Sequence, residues 1–198
     1  MKFLLIFITA LYLAGFSGAR PSSYAMIQKL TPDQRNEAIS YGKRGARAEV
    51  MEFIKEWSVD KGGDGFAFIT TEFLALAYAA RQAALRSAEL NNFDIEDTLA
   101  KSSGKLVFRV TLFGNTESFA KDYTAVILAG SKTFPSTFWS NPNGEPYGDG
   151  KAKPAFVADN DYYFPADGID PSGSITLVVQ DKNGKEVVRF PFSLGKLR

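Results

Sequence analysis

Four aspartates that lie close together in the sequence are the residues best suited to acid–base or metal chemistry. They are Asp159, Asp161, Asp167 and Asp170. Two carboxylates can hydrolyse a glycosidic bond when a cleft holds them at a defined separation, which spacing along a chain does not reveal. Oxygen ligands also suit calcium, but Tyr163 stands where an EF-hand loop would place Asp or Asn. These positions leave a carboxylate-based hydrolase as an alternative, and we predict no catalytic residue and no metal site.

The chain contains neither cysteine nor histidine, which excludes several classes of mechanism. Catalysis by Ser-His or Cys-His pairs needs these residues. Zinc, haem and iron–sulfur sites in their usual ligand sets need thiolate or imidazole. We therefore predict no cofactor. Because many eukaryotic secreted domains depend on disulfides, their absence favours a bacterial setting.

A long loop from Ser140 to Pro154 is predicted from its content of Asn, Pro and Gly. Loops of this length in compact domains are either functional or disordered. Tyr147 is the only aromatic residue within it, and Trp139 and Tyr162 flank it. Tyr and Trp combine a flat apolar face with a hydrogen-bonding edge, so we predict Trp139, Tyr147 and one of Tyr162 or Tyr163, taken as Tyr162, as ligand-binding residues.

Thr70 and Thr71 precede an alanine-rich helix that is predicted from about Thr71 to Leu90. The free N–H groups of a helix N-terminus, together with these two hydroxyls, can hold an anion or a carboxylate. The alternative is that one threonine simply caps the helix.

Residues 1–19 have the features of a signal peptide. Lys2 precedes an apolar run from Phe3 to Phe16, and the small residues 17–19 follow. A membrane-spanning helix needs about 20 apolar residues, so we predict cleavage after Ala19, with an uncleaved N-terminal anchor as the alternative. No second apolar stretch of this length follows, and we predict a secreted or periplasmic protein without an integral membrane segment after cleavage.

The charges of the chain are balanced. The whole sequence has 23 Lys and Arg against 22 Asp and Glu, and loss of Lys2 with the signal peptide makes the numbers equal. Nucleic-acid binding draws much of its affinity from a basic face, so we predict no nucleic-acid partner.

Residues 20–104 are predicted to form a helical region. Thr31 can cap a helix from Pro32 to Tyr41, and Gln34 can complete a capping box. Trp57 ends an apolar stripe at helical spacing and is expected in the core. The polar segment 91–104 is predicted as a join with no more than a short helical turn.

Residues 105–198 are predicted to form a β-sandwich region. Leu106, Phe108, Val110 and Leu112 alternate with polar residues, as in a strand with one buried face. The chain then offers further short apolar runs, including separate strands at 155–158 and 162–164, and a hairpin turn at 181–184. The predicted fold is therefore α+β, with N-terminal helices packed on an immunoglobulin-like antiparallel β-sandwich.

Three segments carry a resemblance to other proteins: Leu30-Thr-Pro-Asp-Gln with Ile39-Ser-Tyr-Gly-Lys43, Phe68-Ile-Thr-Thr-Glu-Phe-Leu-Ala-Leu-Ala77, and Asp181-Lys-Asn-Gly-Lys-Glu-Val-Val-Arg-Phe-Pro-Phe192. They are similar to parts of uncharacterised bacterial exported proteins. The resemblance implies a protein of the bacterial envelope and carries over no site residue.

The sequence as a whole predicts an exported, non-enzymatic binding domain that uses the loops of its sandwich. Its partner would be a protein or a glycan. The alternatives are the carboxylate-based hydrolase and a structural component of the envelope.

Overall fold

The structure, a computed structural model, describes residues 29–148 and 153–198. The predicted signal peptide lies outside the described residues. Within them no helix has the length and apolar character that crossing a membrane requires. The described chain has an α+β fold with these helices: α1 (Pro32–Arg44), α2 (Val50–Ile54), α3 (Glu72–Leu85), α4 (Asn92–Ser102), and 3₁₀ turns at Lys55–Trp57, Gly62–Asp64 and Leu194–Lys196.

Two antiparallel sheets contain the strands of the described chain. The strands are β1 (Ser58–Asp60), β2 (Phe66–Thr70), β3 (Lys105–Gly114), β4 (Thr124–Ala129), β5 (Lys132–Pro135), β6 (Phe138–Ser140), β7 (Glu145–Pro146), β8 (Phe156–Pro165), β9 (Ser174–Gln180) and β10 (Glu186–Ser193). The first sheet has the order β1-β2-β3-β8-β6, with β7 also paired to β8, and the second has the order β10-β9-β4-β5.

The core contains residues from both sheets and from the helices. The alternation predicted for β3 is confirmed, because Leu106, Phe108, Val110 and Leu112 are all buried. They belong to one apolar cluster with residues of the second sheet and of α1 and α3, and Trp57 is buried within it as predicted. The immunoglobulin-like arrangement remains a prediction, and so does the boundary at 104/105. The helical region nevertheless contributes β1 and β2 to the first sheet.

Helices α1 and α3 pack closely because a glycine stands at their crossing. A Cβ atom on Gly42 would lie 2.0 Å from the carbonyl oxygen of Ala77. The start of α1 is as predicted, since Thr31 caps it and Gln34 completes the capping box. The absence of a side chain at Gly42 therefore lets the backbones of the two helices approach each other closely.

Three predicted elements differ from the structure. The alanine-rich helix ends at Leu85 rather than Leu90. Ser87, two residues beyond this end, takes a positive φ of 55°. The segment 91–104 is no simple join but contains α4, which Asn91 caps by accepting from the N–H of Asp94. The two strands predicted at 155–158 and 162–164 are one continuous strand, β8, because the polar residues between them pair with β3.

Candidate functional site

A groove with a volume of about 470 Å³ opens on the outer face of the first sheet, the face turned away from the second sheet. Helices α2 and α3 form one wall, and strands β2, β3 and β8 form the floor. The wall residues are Val50, Met51, Ile54, Leu74, Ala75 and Tyr78, and the floor residues are Phe66, Phe68, Thr70, Val107, Arg109, Thr111, Asp159, Asp161 and Tyr163. Its volume lies within the range of about 300 to 1,000 Å³ that is typical of ligand sites.

The register of the strands explains why the floor residues come together. Residues directly opposite each other in antiparallel strands project from the same face of a sheet. The rows across β2, β3 and β8 are Phe66–Thr111–Asp159, Phe68–Arg109–Asp161 and Thr70–Val107–Tyr163. The floor is therefore built from the residues of three strands that alternate with the buried core positions.

The polar centre of the floor is held by side-chain hydrogen bonds. Arg109 donates from Nε to Oδ1 of Asp161 and from Nη2 to Oδ2, each at 2.8 Å. These bonds raise the pKa of the Arg109 guanidinium. The hydroxyl of Thr111 donates to Oδ1 of Asp159 at 2.6 Å. The polar groups are thus fixed in place before any ligand binds.

Apolar side chains around this centre remain exposed. Met51 is 52% exposed and Tyr78 is 40% exposed, although both lie beside the groove. At the other side Phe138 packs against Tyr163 with ring centroids 5.2 Å apart and is itself 59% exposed. Exposed apolar side chains thus lie on both sides of the polar centre, and exposed apolar surface of this kind often marks an interaction site.

The three aromatic residues predicted to bind a ligand do not form one surface. Tyr162 is 0% exposed, so it is a core residue, and this corrects its selection over Tyr163, which lines the groove. Burial raises the pKa of the Tyr162 phenol. Trp139 is half-exposed and lies opposite Tyr162 on the edge strand β6. Tyr147 packs on Phe113 at 5.0 Å between ring centroids, near the other end of β8.

Thr71 is the cap of α3, as the alternative interpretation of the sequence proposed. Its hydroxyl accepts from the N–H of Leu74 at 3.0 Å and donates to the main-chain oxygen of Arg198 at 3.1 Å. Because the side chain is also buried, it has no free donor for an external anion. Thr70 is separate from this cap, since it lies in the floor of the groove.

The four aspartates are divided between two places. Asp159 and Asp161 lie in the groove, whereas Asp167 and Asp170 follow β8 in a turn where Asp170 accepts from the N–H and hydroxyl of Ser172. Within residues 29–148 and 153–198 no group of three or more acidic, Cys or His residues is placed to hold a metal ion.

Arg109 and Thr111 were not among the predicted site residues. Alternation with the buried positions of β3 places them on its other face, but alternation alone does not identify their partners. The available signal was the second alternating pattern at Asp159-Asn160-Asp161, which puts two carboxylates on one face of a strand. Polar residues at alternate positions in two strands indicate a polar row when the strands pair.

The chain matches no known protein-family model and no curated protein. Among solved structures it is similar to a protein of unknown function from Burkholderia pseudomallei K96243, with 10% identity, a TM-score of 0.45, and 86% of this chain and 100% of that chain covered. It is also similar to the archaellum periplasmic stator protein FlaG from Sulfolobus acidocaldarius, with 16% identity, a TM-score of 0.30, and 46% and 88% covered. It is similar as well to the archaellum periplasmic stator protein complex FlaF and FlaG from Sulfolobus acidocaldarius. The identity is 13%, the TM-score is 0.28, and 45% of this chain and 77% of that chain are covered. These similarities are too low to assign a family.

Proposed function

We propose that the protein is an exported, non-enzymatic binding protein that holds a protein partner on the outer face of its first sheet. The observation that carries the proposal is the groove, in which exposed apolar side chains surround a polar centre that is already ordered. Preordered side chains lose little conformational entropy when a partner binds. The predicted signal peptide would place this site in the periplasm or outside the cell.

The proposal moves the expected site from the loops of the sandwich to a sheet face. Part of the loop predicted at 140–154 is tied down, because the N–H of Gly144 donates to the carbonyl oxygen of Glu117 at 2.7 Å. The two residues of β7 also pair with β8. Tyr147 remains a predicted contact at the border of the partner surface, because it packs on Phe113. Trp139 lies opposite the buried Tyr162 and therefore projects from the other face of the first sheet.

A hydrolase that uses Asp159 and Asp161 is less well supported by the same geometry. General acid catalysis needs a carboxyl group that can give up a proton to the substrate. Both oxygens of Asp161 accept hydrogen bonds from Arg109, so neither oxygen is free to donate a proton to a substrate. The pair is therefore better suited to orienting a ligand than to acid catalysis.

Site-specific photo-cross-linking in the native host tests the proposal. A benzophenone amino acid replaces Tyr78 beside the groove or, as the control, Val187 on β10 of the second sheet, which is 43% exposed. We expect a discrete protein adduct from position 78 and none from position 187. Equal adducts from both positions, no adduct, or an adduct that carries only carbohydrate would overturn the proposal.

A further inference from the structure

We infer that the partner inserts a lysine or arginine side chain, flanked by apolar residues, into the groove, and that Asp159 receives the cation. This inference rests on the proposed function and specifies the chemistry of the segment that binds. The occupant is therefore a basic, apolar peptide segment of another protein.

The charges of the groove are unequal. Its lining contains two carboxylates, Asp159 and Asp161, and one guanidinium, that of Arg109. Arg109 bonds both oxygens of Asp161, so these two charges compensate each other. The charge of Asp159 is left over, and the groove is acidic.

Asp159 also has room for another donor. In the described part of the chain its Oδ1 accepts from Thr111, while Oδ2 accepts no hydrogen bond. The side chain is exposed within the groove, and Thr111 holds its orientation. A carboxylate with one fixed oxygen and one free oxygen can accept a charge-assisted hydrogen bond from an ammonium or guanidinium group.

The surroundings of Asp159 favour a cation carried on an apolar segment rather than a free ion. Phe66 and Phe68 lie in the adjacent rows of the floor, with ring centroids 6.3 Å apart, and α2 and α3 add an aliphatic and aromatic wall. The methylene groups of Lys and Arg pack on apolar surface while the charged end reaches a polar group. The residues beside the cation in the partner would cover Met51 and Tyr78.

Binding of synthetic peptides to the purified protein tests the inference. The probes are three capped heptapeptides of leucine and phenylalanine that differ only at the centre, which is lysine, norleucine or glutamate. Amide NMR shifts locate the bound peptide and titration gives its affinity. We expect the lysine peptide to shift amides of β3 and β8 and to bind about fivefold more tightly than the norleucine peptide.

Two variants distinguish the effect of the charge in the groove from the effect of the net charge of the protein. Asp159→Asn keeps an acceptor for Thr111 and should abolish the preference for lysine, whereas Asp167→Asn removes one charge outside the groove and should leave it intact. The inference is overturned if the norleucine or glutamate peptide binds as tightly as the lysine peptide, or if none perturbs the groove. If the peptide test fails but a protein adduct forms at position 78 and not at position 187, the proposed function stands. If no adduct forms at position 78, both the inference and the proposed function are wrong.

Discussion

Arg109 and Asp161 lie directly opposite each other in the pairing of β3 with β8 and are joined by two parallel hydrogen bonds. Because the Arg109 side chain is 50% exposed, solvent screens the ion pair. The pair therefore fixes the positions of two groove side chains but adds little to the stability of the fold.

A double-mutant cycle of Arg109→Ala and Asp161→Ala should therefore give a small coupling energy. We expect about 0.5 to 1 kcal/mol in the free energy of unfolding, measured by urea denaturation. A coupling above about 3 kcal/mol would show that the pair is part of the stabilising core and not a preorganised site.

Gly42→Ala should destabilise the protein although alanine is the better helix former. The added Cβ would meet the carbonyl oxygen of Ala77 at 2.0 Å, and separating α1 from α3 should cost about 1 to 3 kcal/mol. Thermal denaturation measures the loss. Gly63→Ala is the matched control, because a Cβ there meets no atom within 4 Å. Equal melting temperatures for the two variants would contradict the close packing of the helices.

Arg198→Ala should lower stability by about 2 kcal/mol. The guanidinium lies 4.6 Å from the ring centroid of Tyr41 and donates to the carboxylate of Glu56, whose hydrogen bonds raise the pKa of Arg198. Arg189→Ala breaks an exposed pair with Glu186 and should leave the free energy of unfolding unchanged within experimental error, because solvent screens the pair. Similar losses in chemical denaturation would show that the aromatic contacts of Arg198 contribute nothing.

Tyr162→Phe should leave the protein as stable or make it more stable by about 1 kcal/mol. The hydroxyl is buried and has no hydrogen-bond partner among the described residues, so its removal eliminates an uncompensated polar group. Calorimetry measures the change. A destabilisation of more than about 1 kcal/mol would reveal a bound water that bridges the hydroxyl to another buried polar group.

Local patterns predicted much of the fold and little of the site. The cap at Thr31 and the alternation in β3 are local, and both are confirmed. The sequence predicted no more than a short helical turn where α4 forms. The reason is that α4 buries only Leu99 and so has a weak apolar stripe. The polar centre joins residues that are 52 positions apart in the sequence, and only the pairing of β3 with β8 brings them together.

The affinity of the cross-linked partner for a groove variant shows whether the partner binds the outer face of the first sheet. Met51→Ser with Tyr78→Ser changes two exposed side chains beside the groove, and Phe93→Ser with Val187→Ser changes two exposed side chains elsewhere. We predict that the first pair weakens binding about tenfold or more at unchanged melting temperature, and that the second pair has no effect. Equal dissociation constants for the wild type and the groove variant would contradict the claim that the partner binds the outer face of the first sheet.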